Sequence, residues 1–248
     1  MQTTIENDFS HVGTGVHLGR PARINIRPAP VDHGIVFKRI DVDDSKSIVK
    51  ANFENILSSE LCTSLTNSYG VSVKTVEHLL AAFSGIGVTN ALVEIDNEEV
   101  PILDGSSLRF VQSLIKAGIC KQNKSLNVCT IKKSIKVQNR NSWVKLIPSN
   151  QFILTVIINY PNTCIGKQKF KLSMKKDSFV KELSDNRTFC LKKDIQIMRS
   201  KGFALGGSLE NAIVVDGYKI MNPNGLRRKD EFVRHKMLDA LGDIALAG

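Results

Sequence analysis

Asp230-Glu231-Phe232-Val233-Arg234-His235-Lys236-Met237-Leu238-Asp239-Ala240-Leu241-Gly242-Asp243 is the stretch around which the rest of the chain can be arranged. At 100° per residue it reads as a helix with Val233, Met237, Ala240, Leu241 and Ile244 on one apolar arc. His235, Asp239 and Asp243 stack at i, i+4 and i+8 on the opposite side, with Lys236 close by. An imidazole and a carboxylate one turn apart can reach the same cation, a geometry that zinc hydrolases also build from histidine pairs at i, i+4. The same face also fits a solvated helix surface carrying an ordinary His–Asp pair.

Working outward, a second helix offers a similar feature. Thr75 suits an N-cap, followed by apolar Val76, Leu79, Leu80 and Phe83, with Gly85 and Gly87 at the end. His78 projects about 200° from that apolar stripe, and Glu77 sits about 100° from both. Val76-x-His78 with Gly85 repeats the spacing of Val233-x-His235 with Gly242. The echo is faint, but it suggests a duplicated unit with two facing helices, each offering a histidine. If they face one another, His78, His235 and Asp239 supply two nitrogens and one oxygen, leaving zinc one open position for water. Glu77 is then a candidate to take that water's proton, and Asp243 to orient an acid from behind. The chemistry of such a site is hydrolysis of an amide or ester. An exposed helix carboxylate is the alternative for Glu77.

The remaining sequence reads as strands followed by helices, twice. Strands are expected at 24–27, 35–42, 91–96 and 100–103, then a helix from Leu108 closed by Gly118. Lys121-Gln122-Asn123-Lys124-Ser125 is polar and aperiodic and reads as a linker between 1–122 and 126–248. Beyond it come strands at 128–137, 143–147, 152–160 and 168–172, and helices at 178–183 and 194–201. Asp216-Gly217 signals a hairpin between 212–215 and 218–221, and Asn222-Pro223-Asn224-Gly225 a turn. This order predicts an α+β fold of two similar layered domains, not a doubly wound α/β sheet.

Composition narrows the function classes. The 248 residues are 42% apolar, with no run near the roughly 20 residues of a membrane span. The first eight residues resemble no secretory signal. Five scattered cysteines without a CxxC spacing argue against a disulfide framework and for a reducing, cytoplasmic setting. The formal charge of +10 favours an anionic partner. Its lysines concentrate modestly at 116–136 and 167–181, and the 6% aromatic residues are not interleaved with them. A base-stacking platform is therefore not expected, and nucleic acid is set aside as a partner.

Several motifs together resemble the bacterial UDP-3-O-acyl-N-acetylglucosamine deacetylase family, LpxC, of lipid A synthesis. They are Thr75-Val76-Glu77-His78-Leu79, Val100-Pro101-Ile102-Leu103-Asp104-Gly105-Ser106 and residues 230–242. Arg27-Pro28-Ala29, Arg187-Thr188-Phe189 and Leu205-Gly206-Gly207-Ser208 add support. The resemblance implies two α+β domains, each a sheet with two helices, and a Zn2+ site between them. It implies His78, His235 and Asp239 as ligands and Glu77 as general base. Thr188 would hydrogen-bond the scissile carbonyl or oxyanion, Lys236 would add charge, and Phe189 and Gly207 would border the substrate. Residues 158–167 resemble the insert that walls the acyl-chain passage. His17, in residues 13–19, would contact substrate, with a packed loop histidine as its alternative. The implied partner is the UDP-linked, 3-O-acylated sugar, handled by a monomer.

One departure accompanies these matches. Members of the family continue past the Gly242-Asp243 helix into a helix and strand that carry a general-acid histidine. Here the histidines are His11, His17, His33, His78 and His235, and none remains for that role. The expectation is a C-terminally truncated chain, its second domain incomplete and leaving apolar surface and an unpaired edge. An impaired or inactive copy, or a fragment, is therefore the alternative function.

Overall fold

The computed structural model describes residues 1–58, 60–175 and 177–248. The first half runs β1 (Thr3–Ile5), β2 (Phe9–Thr14), β3 (Pro21–Pro28), β4 (Ile35–Arg39), β5 (Ile48–Lys50), β6 (Ile56–Ser58), β7 (Ser64–Thr66), β8 (Ser72–Lys74), α1 (Glu77–Ile86), β9 (Ala91–Ile95), α2 (Leu108–Ala117) and β10 (Ile119–Lys121). The second continues with β11 (Ile135–Asn139), β12 (Ser142–Leu146), β13 (Ile153–Tyr160), β14 (Gly166–Ser173), α3 (Ser178–Glu182), β15 (Phe189–Leu191), α4 (Lys192–Ser200), β16 (Ile213–Asp216), β17 (Lys219–Ile220) and α5 (Glu231–Ala245). The α+β class is as expected.

A five-stranded sheet of order β2-β3-β9-β4-β5 supports α1. Its alternation is clear in β3, where Ala22, Ile24 and Ile26 are buried, and in β9, where Ala91, Val93 and Ile95 are. Each fully buried isoleucine or valine there contributes roughly 1.5–3 kcal/mol relative to exposure. β9 is central, antiparallel to β3 and parallel to β4. Phe110, Val111, Leu114 and Ala117 turn the apolar stripe of α2 into the same core.

The two halves share one contiguous apolar cluster. Ile24, Phe37, Val93 and Leu79 belong to it together with Leu154, Phe179, Met237, Leu238 and Leu241 from the second half. Helix α1 packs against both α2 and α5. The closest approach is backbone to backbone: a Cβ on Gly242 would lie 2.1 Å from the Glu77 carbonyl oxygen. Only glycine admits that crossing.

The second half forms no sheet comparable to the first. Among the described residues, β11-β12 and β13-β14 are separate antiparallel hairpins, and β15-β16-β17 is a third small sheet. Every residue of β11 and β12 is exposed, including Val137, Trp143 and Val144. Lys136 lies over the Trp143 ring at 5.8 Å from its centroid. Part of the lysine concentration at 167–181 lies along β14, where Lys167, Lys169 and Lys171 alternate outward; Lys176 is outside the described residues.

Several local expectations are corrected. Thr75 does not cap α1: its φ is +57°, Val76 precedes the helix, and neither residue's side chain caps it. Gly85 lies inside α1, where Phe179 occupies the space a Cβ would need, and Gly87, in the left-handed conformation, ends the helix. Residues 100–103 are not a strand; only Glu99 bridges Lys74, and the chain then enters the Asp104-Gly105 turn. Residues 128–134 lack strand pairing, so β11 starts at Ile135. The linker begins as structure, since Lys121 closes β10 against β1, and Gln122 and Lys124 bond the Gln2 backbone. The hairpin at Asp216-Gly217 forms as expected, with Val215 opposite Ile220 and Gly217 at φ +57°.

Candidate metal centre

The 230–243 stretch folds as the helix its periodicity requires; the His235 end of its polar face is buried, while Asp243 at the other end is exposed. His235 is fully buried, as are Phe232, Val233, Met237, Leu238 and Leu241, whereas Ile244 at the end of the apolar arc is 38% exposed. A polar side chain buried as His235 is must be satisfied internally. His78, 4% exposed on the facing α1, is what it meets.

His78, His235 and Asp239 converge so that one ligand atom from each lies within 4.8 Å of the others. The two imidazoles meet edge to face at 4.9 Å. Asp239 Oδ1 is 3.4 Å from His78 Nε2 and 3.2 Å from His235 Nε2. His235 Nδ1 lies 3.0 Å from the Asn186 carbonyl oxygen. Donation from Nδ1–H to that carbonyl leaves Nε2 with a lone pair aimed at the cluster, the tautomer a metal-ligating histidine needs. His235 Nε2 and Asp239 Oδ1 are both buried without a hydrogen-bond partner. Two orphaned buried acceptors side by side are costly unless a shared partner such as a cation satisfies both. The N/N/O donor set suits zinc with an open fourth position.

Burial alone would lower the His78 imidazole, but Asp239 and then Glu77 raise it above its ordinary value. Burial pulls the His235 imidazole down to about 3, keeping it neutral. Burial alone would raise the Asp239 carboxyl, but the Lys236 ammonium and the His78 imidazole hold it well below the usual carboxylate range. Lys236 Nζ donates to Asp239 Oδ2 at 3.0 Å and stands 5.5 Å over the Phe189 ring. Its ammonium is favoured chiefly by the Asp239 charge.

Glu77 is 7% exposed and burial pushes its carboxyl up to about 7. Its Oε2 accepts from the Thr63 backbone N at 3.1 Å, while the Thr63 hydroxyl donates to Asp243 Oδ1 at 2.6 Å. Thr63 therefore ties Glu77 to Asp243 across the two helices. A cavity of about 110 Å³ opens beside the cluster, and Glu77, His78, His17, Thr188, Phe189 and Gly207 all line it. The Thr188 backbone is anchored on both sides, its N donating to the Gly105 carbonyl and its carbonyl accepting from Ile213 N, each at 2.8 Å. His17 is 8% exposed, packed against Phe203 and held by Ala204 N at 3.4 Å from its Nδ1. It is thus both a packed histidine and a wall of the cavity. A larger cleft of about 460 Å³ runs past Val12, Asp104, Arg109 and Asn211, and none of His78, His235, Asp239 and Glu77 lines it.

Phe189 also closes a second apolar cluster with Ile158, Tyr160, Ile165 and Phe232. Residues 158–167 are the β13–β14 hairpin tip, so the expected passage wall abuts the cavity wall through Phe189. Thr63 and Asn186 escaped the sequence reading. Each acts partly through its backbone, and neither falls in a periodic pattern or a metal-ligand spacing.

Comparison of the whole chain with known proteins points to one family. The family model for LpxC, UDP-3-O-acyl N-acetylglycosamine deacetylase, matches residues 2–248. The chain is 44% identical to the UDP-3-O-acyl-N-acetylglucosamine deacetylase of Colwellia psychrerythraea, over 98% of this chain and 80% of that protein. It is 41% identical to the proteins of that name from Idiomarina loihiensis and Haemophilus influenzae, each over 100% of this chain and 81% of theirs. By family match and by identity along its whole length, the chain belongs to the LpxC family of UDP-3-O-acyl-N-acetylglucosamine deacetylases.

Proposed function

We propose that this chain is a zinc-dependent deacetylase that removes acetate from the 2-amino group of UDP-3-O-acyl-N-acetylglucosamine in lipid A biosynthesis. The observation that carries the proposal is the pair of orphaned acceptors, His235 Nε2 and Asp239 Oδ1, converging with His78 beside the Glu77-lined cavity. His78, His235 and Asp239 would hold the ion. Bound there, zinc supplies an acidified water and polarises the acetyl carbonyl.

The protein's own groups divide the remaining work. Glu77, with a carboxyl near neutrality, takes a proton from the attacking water, and Thr63 keeps its second oxygen fixed. Thr188, on a segment pinned at both backbone ends, donates to the developing oxyanion, and Lys236 adds positive charge. Glu77 then returns the proton to the departing amine, with Asp243 held in reserve by Thr63. Phe189 and the 158–167 hairpin wall the acyl chain, while His17 and Gly207 border the sugar. The basic surface suits a nucleoside diphosphate. No helix among the described residues is long and apolar enough to cross a membrane. A cytoplasmic monomer with domains at 1–122 and 126–248 belongs to the same reading.

An impaired copy is the second reading, because among the described residues Asp243 is paired with the Thr63 hydroxyl and not with a histidine. Metal analysis combined with deacetylation of the UDP sugar separates the two. The proposal expects bound zinc and turnover that Glu77→Ala lowers by about 10²–10⁴-fold. Bound zinc with turnover no higher than that of Glu77→Ala overturns the enzyme reading in favour of the second.

A further inference from the structure

Glu99 is 1% exposed and carries no role in the chemistry above. Its carboxylate accepts three hydrogen bonds from two separate segments. Oε1 takes the His17 backbone N at 2.8 Å and the Thr75 hydroxyl at 2.8 Å; Oε2 takes the Leu18 N at 2.7 Å. Both segments need an external hold. The turn at 15–18 lies outside any strand, so the His17 and Leu18 N–H groups find no ladder partner. Thr75 is a β-branched residue at φ +57°, a conformation that persists only where the surroundings over-determine it. It immediately precedes Val76, where the chain enters α1, whose first residues are Glu77 and His78.

The surroundings leave Glu99 no freedom. A Cβ on Gly15 would fall 2.3 Å from Glu99 Oε2, so glycine is what lets the loop close over the carboxylate. Lys74 and Val100 flank the bridge at Glu99 with backbone bonds of 2.8 and 3.1 Å. On its far side the same loop is stitched to the second half, with Leu205 N on the His17 carbonyl and Gly206 N on the Val16 carbonyl, each at 3.0 Å. One buried carboxylate thus spans the two walls of the cavity.

We infer that Glu99 is a positioning residue, fixing the His17 loop and the Thr75 turn to one another so that the substrate wall and the Glu77–His78 wall keep one spacing. This rests on the deacetylase reading. The carboxylate touches neither substrate nor metal ligand; it acts through the backbone of His17 and Leu18 and the hydroxyl of Thr75. Glutamine at this position keeps the volume but must present an N–H to one of three donors, losing one bond and opposing it with a second donor.

The test uses the full chain with zinc and compares Glu99→Gln, Thr75→Val and Thr75→Ser. The readouts are amide hydrogen exchange across residues 13–19, zinc content and the separate kcat and KM for the UDP sugar. Glu99→Gln is expected to keep its zinc, to speed exchange across 13–19 by about 10-fold or more, and to lower kcat/KM by about 10–100-fold. Thr75→Val releases the turn and leaves the His17 and Leu18 bonds to Glu99 intact, so it lowers kcat with 13–19 exchange unchanged. Thr75→Ser, which keeps the hydroxyl, recovers most of that loss. Wild-type exchange at 13–19 in Glu99→Gln overturns the inference, and that result can be read even if the wild type shows no turnover. Exchange that rises equally along the whole chain also overturns it, as does a Thr75→Ser variant no better than Thr75→Val.

Discussion

Replacing Gly242 with alanine tests whether the α1–α5 crossing sets the metal cluster. The new Cβ would lie 2.1 Å from the Glu77 carbonyl oxygen, 2.9 Å from its carbon and 3.1 Å from its Cα. Comfortable carbon–oxygen contacts begin near 3.3 Å, so α5 must retreat from α1 by about 1 Å. The obstacle is backbone, and no rotamer change relieves it. Alanine inside a helix gains about 1 kcal/mol over glycine, while overpacking of this kind costs about 1–3 kcal/mol. Taking the upper end for a backbone obstacle leaves a net loss of about 2 kcal/mol, or roughly 4–8 °C in Tm for a chain of this size. The metal readout is sharper. His235 and Asp239 share α5, so their 3.2 Å separation is insensitive, whereas the 3.4 Å between His78 Nε2 and Asp239 Oδ1 crosses the interface. A 1 Å retreat is large against ligand distances near 2.0–2.2 Å, and zinc affinity should fall by about 10–100-fold. Chelator competition and thermal melts measure both effects, with Ile244→Ala, 38% exposed on the same helix, as the control. Wild-type zinc affinity in Gly242→Ala would refute the reasoning, whatever happens to Tm.

Two further predictions follow from buried charge. Glu231, fully buried, accepts from Arg187 N, Nε and Nη2 at 3.1, 2.8 and 3.2 Å and from Arg227 N at 2.7 Å. Glu231→Gln leaves the Arg187 guanidinium uncompensated and should cost about 3–5 kcal/mol in denaturant unfolding; a loss below about 1 kcal/mol would contradict that account. His11 has a depressed pKa, through burial first and the Arg109 charge second, and its Nε2 is buried without a partner. The folded chain binds that proton less readily than the unfolded one, so the His11 contribution is intact above the ordinary histidine range and is lost as pH falls through it. The Tm of the wild type should therefore drop relative to His11→Phe on going from pH 7 to pH 5; a pH-independent difference would rule this out.

What could be read in the sequence is what repeats or alternates locally. The α5 periodicity, the β3 and β9 alternation, the Asp216-Gly217 hairpin and the glycine end of α2 all appear where pattern and turn chemistry put them. The convergence of His78, His235 and Asp239 was legible because His235 and Asp239 lie one turn apart and Val76-x-His78 repeats part of their context. What stayed hidden depends on contacts remote in sequence. Thr75 looked like a cap because its side chain suits one; Glu99, 24 residues away, takes its hydroxyl instead. Thr63 joins Glu77 to Asp243 from 14 and 180 residues away, and Asn186 orients His235 through a carbonyl that every residue type possesses. Burial of His235 was likewise invisible, since amphipathic patterning assigns polar residues to solvent by default.

The most direct test of the account is zinc content measured alongside turnover in three proteins: wild type, Asp239→Ala and Glu77→Ala. The account predicts one zinc per wild-type chain, little or none in Asp239→Ala, and retained zinc without deacetylation in Glu77→Ala. A wild-type chain that binds no zinc after exposure to the metal, or an Asp239→Ala chain that binds it as tightly as the wild type, would contradict the central claim.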